Sequence, residues 1–391
     1  MRLLTYRGVP VWRDVRVLRW AAQIISVIVV LSFLFFAASN VLDAADKRGL
    51  ALGFDFLEEE AGFPIAESVI DYEESDSFRY AFLLGILNTI KVALLGIVLA
   101  TVLGFVVGVA RLSTNWLLRQ IAGVYVETFR NIPLLVQLFF WYFGVFLLLP
   151  TVRESIHWPG PVYLSNRGIF MVWGHLSGSF APWLLFVLAG FALAVLARVV
   201  LSRRQERSGR PSYPNLAGGM VLVLVAALGW VLMPESPLSR EVPVFDRFNY
   251  RGGLRLTPEF LALLVGLVAY TSAFIGEVVR AGIQSVQRGQ VEASRALGLS
   301  SVQSLRFVVI PQALRVIIPP LISQFLNLTK NSSLAIAIGY PDLFSIGRIM
   351  INQAGRAVPI FLMIMAAYLA MSLTYAIIGN IYNRLVRYEE R

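Results

Sequence analysis

Residues 291–311, VEASRALGLSSVQSLRFVVIP, decide how the rest of the chain is read. A short helical stretch runs through Val291, Glu292, Ala293, Ala296 and Leu297, stops at Gly298 and restarts at Ser300. There Ser300-x-x-Gln303 has the form of a capping box, which opens a second helix. Long apolar runs flank this pattern, near 259–280 on one side and 311–338 on the other. A helix, a glycine turn and a second helix between two such runs is a tidy connector unless its residue types say more.

The 391 residues are 57% hydrophobic and 15% charged, with mean hydropathy +0.69, far more apolar than a soluble domain of this length. Apolar runs recur near 20–42, 82–110, 133–150, 182–201, 215–233, 259–280, 311–338 and 359–384. Several reach the roughly 20 residues that a helix needs to cross hydrocarbon. The expected fold is therefore all-α integral membrane, with about eight transmembrane helices. The first run follows Arg2, Arg7, Arg13, Arg16 and Arg19 and is longer than a signal-peptide apolar region, so it predicts an uncleaved anchor. The chain has no cysteine, which excludes disulfides and thiol-based metal or redox chemistry.

A net charge of +10 would suit a nucleic-acid binder, but the arginine clusters at 111–120, 203–210, 280–315 and both ends fall on one side of an eight-span arrangement. That is the positive-inside pattern, which places both termini in the cytoplasm and leaves no need for a nucleic-acid partner. The stretch from Asp43 to Arg79 is acidic and falls outside. Trp158, Trp173, Trp183 and Trp230 lie near span ends, where they read as interfacial anchors.

The Glu292-Ala293-Ser294 beginning, Gly298, and Ile310-Pro311 beyond it resemble the cytoplasmic loop of binding-protein-dependent ABC importer permeases. The resemblance implies that Glu292, Ala293, Ser294, Ala296, Leu297 and Gly298 form a coupling helix that docks in a groove of an ATPase subunit. Ser294 stands where alanine is common. Two further stretches, NTIKVALLGIVLATVLGFVVGVARLS (88–113) with YVETFRNIPLLVQLFFWYFG (125–144), and KNSSLAIAIGYPDL (330–343), resemble the polar amino-acid branch. Members of that branch carry Arg-x-x-Pro-Leu-Leu-x-Gln and Lys-x-x-Ser-Leu runs at matching places. Residues 53–89, acidic in their first half, resemble the longer subunit of the general L-amino-acid importers.

On this resemblance the chain has a type I ABC importer permease core. Residues 1–42 form a basic arm and anchor helix, 43–80 an acidic periplasmic segment, and 81–150 the first part of the core. Residues 151–258 hold periplasmic loops and an inserted transmembrane hairpin, and 259–391 the second part of the core with the coupling loop at about 281–311. The implied partners are two ABC ATPase subunits, a second homologous permease, a periplasmic amino-acid-binding protein, L-amino acids and the bilayer. The implied location is the bacterial inner membrane. The chain has no phosphate-binding Gly-x-x-x-x-Gly-Lys-Ser/Thr loop, so ATP and magnesium belong to the partner ATPase and no cofactor is expected here.

The stretch FLNLTKNSSLAIAIG (325–339) contains Lys330, and the only other lysines are Lys47 and Lys91. Counted from Pro319 or Pro320, Lys330 lies roughly 15 Å into the span, near the bilayer midplane. An ammonium there is costly unless paired or hydrated. Ser323, Asn327, Lys330 and Ser333 share one helical face, with Gln324 and Asn331 beside it, so this stripe is expected to meet a partner helix or a cavity. Lys330, Asn331, Ser332, Ser333 and Asn327 are the candidate translocation residues. Glu277 is the candidate intramembrane acid, as partner of Lys330 or of its own neighbour Arg280, with Glu127 and Arg130 next in line. Lys91 is expected to extend towards the outer headgroups.

His157 and His175 read as surface histidines, and Ser177 and Ser179 beside His175 lack the acid of a triad. Two other functions fit the same residues at this point. One is an ion-coupled carrier using Lys330 and Glu277; the other is an ABC permease subunit that holds no substrate itself.

Overall fold

The computed structural model describes residues 5–6, 9–10, 15–47, 52–209 and 213–386. Arg2, Arg7 and Arg13 of the basic arm, Arg210, and the tail from Arg387 onward lie outside the described residues. Strands β1 (Thr5–Tyr6) and β2 (Val9–Pro10) pair antiparallel ahead of α1 (Val15–Lys47). Among the described residues seven helices are long and apolar enough to cross a membrane, or eight if one bent pair counts as a single span. Two compact units divide the chain, Met1–Leu94 with Gly282–Ile336 and Pro341–Arg391, and Leu95–Ala281 with Ala337–Tyr340. Helix α2 (Phe78–Ala110) contributes to both.

In the second unit, α2 is followed by α3 (Trp116–Asn131), whose start is fixed by the Asn115 side chain accepting from the Leu117 and Leu118 amides at 3.0 and 3.3 Å. The third expected span, 133–150, begins at a break. Pro133 ends α3, α4 (Leu134–Phe139) runs into a π-helical turn over Phe140–Phe146, and this stretch is bent by 105° from α3. Gln137 stabilises the break: its Nε2 donates to the freed carbonyls of Phe129 and Ile132, each at 2.9 Å.

An all-α expectation also overlooks short strands between the spans. Strands β3 (Ile156–Trp158), β4 (Val162–Ser165) and β5 (Gly168–Met171) pair in succession. β6 (Trp173–Leu176) then leads to helices α5 (Phe180–Ser208) and α6 (Pro214–Leu232). On the return, β7 (Leu238–Glu241) pairs with β6, β8 (Val244–Asp246) with β9 (Asn249–Arg251), and β10 (Leu254–Leu256) with β5. The four-stranded antiparallel sheet therefore has the order β10-β5-β4-β3. Such strands are too short to show as apolar runs, and hairpin pairing satisfies their backbone groups.

Helix α7 (Pro258–Gln284) packs on α2 through small residues. A Cβ at Gly108 would sit 2.7 Å from the Gly276 carbonyl oxygen, and one at Gly104 would sit 2.6 Å from Ile275. This close approach is the basis of glycine-mediated packing between membrane helices. Tyr125 of α3 fastens the third member, its hydroxyl lying 2.7 Å from Ser272 Oγ and donating to the Ala269 carbonyl at 3.1 Å.

In the first unit, α8 (Arg288–Ala296) and α9 (Ser301–Ser304) lead through a π-turn at Leu305–Val309 into α10 (Ile310–Asn331), followed by a 3-10 turn over Ser332–Ile338 whose last two residues belong to the second unit. Helices α11 (Leu343–Ala354) and α12 (Ala357–Val386) complete it. Its core gathers Phe56, Phe63, Phe78 and Phe82 against Leu343, Ile346, Met350, Ile360 and Ile364. The acidic segment is thus folded into this unit, with Phe56 and Phe78 edge to face at 5.8 Å.

Candidate functional site

Helix α8 has the construction expected of a rigid projecting element. Its end is a Schellman motif: the Leu299 amide donates to the Ser294 carbonyl at 3.1 Å and the Gly298 amide to the Arg295 carbonyl at 2.9 Å, with Gly298 left-handed at φ +79°. A residue with a Cβ would strain that position although space around it is open. The Ser300–Gln303 capping box is present in both directions, so α9 begins as soon as α8 has ended. Two helix ends are thereby capped within residues 294–303, without a distant partner.

The six candidate coupling residues divide into two groups. Glu292, Ala293, Ala296, Leu297 and Gly298 are exposed, Leu297 at 82%. Ser294 is buried. Its hydroxyl lies 2.5 Å from Ser304 Oγ and donates to the Val291 carbonyl at 2.7 Å, so it ties α8 to α9 and does not face outward. A serine where alanine is common is therefore accounted for by a partner ten residues away.

The polar stripe of α10 is on the surface of this chain. Ser323, Asn327 and Lys330 are exposed, with Gln324, Asn331 and Ser333 half-buried. Lys330 has no ion pair among the described residues. Ser332 is fully buried and donates to the Thr329 carbonyl at 2.8 Å, and Ser333 donates to the Lys330 carbonyl at 2.8 Å. These back-bonds secure the change from α-helix to 3-10 turn just past Lys330. Ser332 thus serves the backbone, while Lys330 and Asn327 present free polar ends.

Glu277 is not paired with Lys330. Its carboxylate forms an ion pair with Arg111 at the end of α2 and accepts from Arg280 at 2.9 Å. Arg111 had no place among the expected partners, because nothing in the sequence brings residue 111 beside residue 277. Arg130 instead lies over the Phe274 ring at 5.1 Å.

Lys91 likewise does not reach for headgroups. Its Nζ pairs with Glu67 Oε1 at 2.6 Å, and Glu67 is only 8% exposed. The neighbouring Asn88 amide donates both to the Glu67 carbonyl at 2.9 Å and to the Pro341 carbonyl at 2.8 Å. Thr89 Oγ1 accepts from the Leu343 amide at 3.0 Å, while buried Asp342 caps α11 through the Ser345 amide and accepts from Tyr368 at 3.3 Å. A polar lock thus joins the acidic segment, α2 and the turn that ends the Lys330 stretch. The sequence held one signal for it, a Pro-Asp pair ahead of the apolar α11. His157 and His175 are exposed on β3 and β6, and no group of metal-binding side chains occurs among the described residues.

Comparison with known proteins places this geometry in a family. The family model of the binding-protein-dependent transport system inner membrane component matches residues 211–390. YhdX of Escherichia coli (strain K12) is 43% identical over 393 residues, 100% of this chain and 99% of that one. The general L-amino acid transport system permease protein AapQ of Rhizobium johnstonii is 41% identical over 373 residues, 94% of this chain and 92% of that one. The glutamate/glutamine/aspartate/asparagine transport system permease protein BztB of Rhodobacter capsulatus is 37% identical over 427 residues, 97% and 96% of the two chains. These matches cover nearly the whole chain, α1, the acidic segment and the α5–α6 hairpin included. This multi-pass membrane protein with a type I permease fold therefore belongs to the amino-acid ABC transporter permeases, the binding-protein-dependent inner-membrane family.

Proposed function

We propose that this chain is one of two permease subunits of an ATP-driven importer for L-amino acids of broad range. It would receive them from a periplasmic binding protein and pass them to the cytoplasm. The observation that carries the proposal is α8: a short, doubly capped helix with an exposed Leu297 tip, joined without slack through α9 and the π-turn to α10. A push on α8 is delivered to the helix that bears Lys330, which is what coupling to ATP closure requires. Glu292, Ala293, Ala296, Leu297 and Gly298 form the face for the ATPase, and Ser294 braces it from behind. ATP and magnesium are bound by that separate chain, in two copies, and this chain is not itself catalytic.

The exposed stripe supports pairing with a second, homologous permease. Lys330, Asn327 and Ser323 cannot face hydrocarbon cheaply, so the partner covers them and the route for substrate runs along the seam. There Lys330, with Asn331 and the Ser333 edge, meets a substrate carboxylate or controls a midplane gate. Glu277, held by two arginines, keeps α2 and α7 in register and does not bind substrate. With the broken α3–α4 pair as one span there are eight, and both termini lie in the cytoplasm.

The test is uptake of labelled acidic, neutral and basic L-amino acids by cells lacking only this chain, against cells with it restored. Rescue of several classes together supports the broad-range reading; indifference of uptake to this chain sinks it. A Gly298→Glu variant should lose ATPase attachment or coupling, and full uptake by that variant would remove α8 from the role. Lys330→Met at normal membrane abundance should depress uptake, and unchanged uptake would remove Lys330 from the route.

A further inference from the structure

The sheet between α4 and α7 carries a cationic pocket that none of the preceding roles uses. The pocket has a volume of about 310 Å3 and is lined by Thr151, Val152, Arg153, Asn166, Arg167 and Phe248. No acidic residue is in that lining. Among the described residues neither Arg153 nor Arg167 has a carboxylate partner, although Arg251 in the same region is paired with Asp246 at 3.0 Å. Phe248, at 71% exposed, stands at the rim as an apolar wall.

Arg167 stands on a fixed frame. It occupies the tight β4–β5 turn, where Gly168 has φ +118° and a Cβ there would sit 2.2 Å from the Leu256 carbonyl oxygen. Its Nη1 donates to the Phe248 carbonyl at 3.0 Å, and its own carbonyl accepts from Arg255 Nε at 3.2 Å. The Asn166 amide is held by the Pro150 carbonyl at 2.9 Å. Behind them Tyr163 and Tyr250 stack at 4.4 Å, and Tyr250 bonds Ser155 at 2.7 Å. An arginine whose fork is partly anchored by backbone, as Arg167 is, loses little entropy in taking an anion, one fork matches the two oxygens of a carboxylate, and Arg153 adds a second positive charge beside it.

We propose that this pocket is a carboxylate-binding site on the periplasmic face. The inference rests on the importer reading above, which fixes the side of the membrane: α7 leads at its far end into the coupling loop, so β10, just before Pro258, is on the opposite side. Residues 151–178 and 234–257 also contain Arg153, Arg167, Arg240, Arg247, Arg251 and Arg255, an excess of arginine on the side where positive charge is not needed for topology. The carboxylate has two sources, an acidic side chain of the soluble delivery protein or the amino acid itself.

The experiment uses the assembled importer in proteoliposomes with the wild-type chain, Arg153→Gln, the Arg153→Gln/Arg167→Gln double variant and the double lysine variant. Uptake of labelled glutamate is measured while the delivery protein and then the free amino acid are varied. Loss of the charge-assisted bonds should raise one half-saturating concentration by about tenfold in the double variant, less in Arg153→Gln, with the maximal rate kept. Lysine should restore part of the loss. A shift along the delivery-protein axis identifies a protein side chain as the source, and a shift along the amino-acid axis identifies the substrate. Unchanged concentrations on both axes, at equal reconstituted protein, overturn the site. Arg153 makes no hydrogen bond among the described residues, so its single variant tests charge apart from folding. Uptake by the wild-type importer checks the importer reading separately.

Discussion

Helices α5 and α7 are both long and apolar enough to span a bilayer, yet of the most apolar stretch of each, 61% is buried inside the chain in α7 and 6% in α5. Apolarity therefore brings a helix into lipid without deciding whether it joins a core. Small and polar residues decide that. Helix α7 offers Gly276 to Gly104 and Gly108, Ser272 to Tyr125, and Glu277 to two arginines. Helix α5 meets α6 through Gly190, Gly218 and Gly229 and one Trp183 hydrogen bond to the Ala226 carbonyl, leaving the remaining surface for lipid. The hairpin braces itself, whereas the acidic segment is built into its unit through Phe56, Phe63 and Glu67.

The contrast breaks most sharply at glycine. Gly108→Leu must push apart two backbones and should cost about 3 kcal/mol or more, read as loss of folded protein from the membrane and a lowered Tm in detergent. Gly219→Leu on α6, where nothing lies within 4 Å, should change Tm by no more than the equivalent of about 0.5 kcal/mol. Equal effects at the two positions would show that the α2–α7 contact is no tighter than the hairpin.

Glu277→Gln should come next. It strands Arg111 and Arg280 at a partly buried position, and a loss of about 2 kcal/mol is expected, below the value for a wholly buried pair because each side chain is still about a fifth to a third exposed. Thermal unfolding of the purified complex measures it, and the Glu277→Gln/Arg280→Gln double variant should recover part of the loss.

Smaller again is the Lys91–Glu67 pair, whose double-mutant cycle with Lys91→Met and Glu67→Gln should give a coupling of about 1 kcal/mol. A coupling of zero would make the acidic segment as independent as the hairpin. The smallest effect is a titration. Tyr72 lies in the acidic segment, and burial, then Asp76 and Glu74, push its phenol from 10.0 up to about 12. Its contribution to stability is complete below pH 10 and is lost as pH rises towards 12, because the unfolded chain ionises first. Ultraviolet titration should show this phenol ionising late in the wild type, and at ordinary pH once Phe63→Ala has opened the segment.

Helices α8 and α9 could be read in the sequence because their ends are local. The Schellman end and the capping box satisfy amides within four or five residues, so Gly298, Ser300 and Gln303 state them outright. The bend ahead of the third expected span was not legible, for the opposite reason. It depends on Gln137 reaching back to carbonyls freed by Pro133. The site was legible in residue type more than in arrangement. The polar stripe of Lys330 followed from counting, but Ser294 and Ser332 turned inward because Ser304 and Thr329 were there to receive them.

The sequence by itself determined the solvent, the approximate set of spans, the caps of α8 and α9 and the membership of the family, all carried by composition or by spacing along one helix. Tertiary structure alone decided which apolar helix is core, that Glu277 belongs to Arg111 and Arg280, that Lys91 holds Glu67, and that Arg153 and Arg167 share a pocket. The physical reason is that a backbone amide finds its partner within one turn, whereas a charge in a low-dielectric setting is satisfied by whichever distant group the fold brings near.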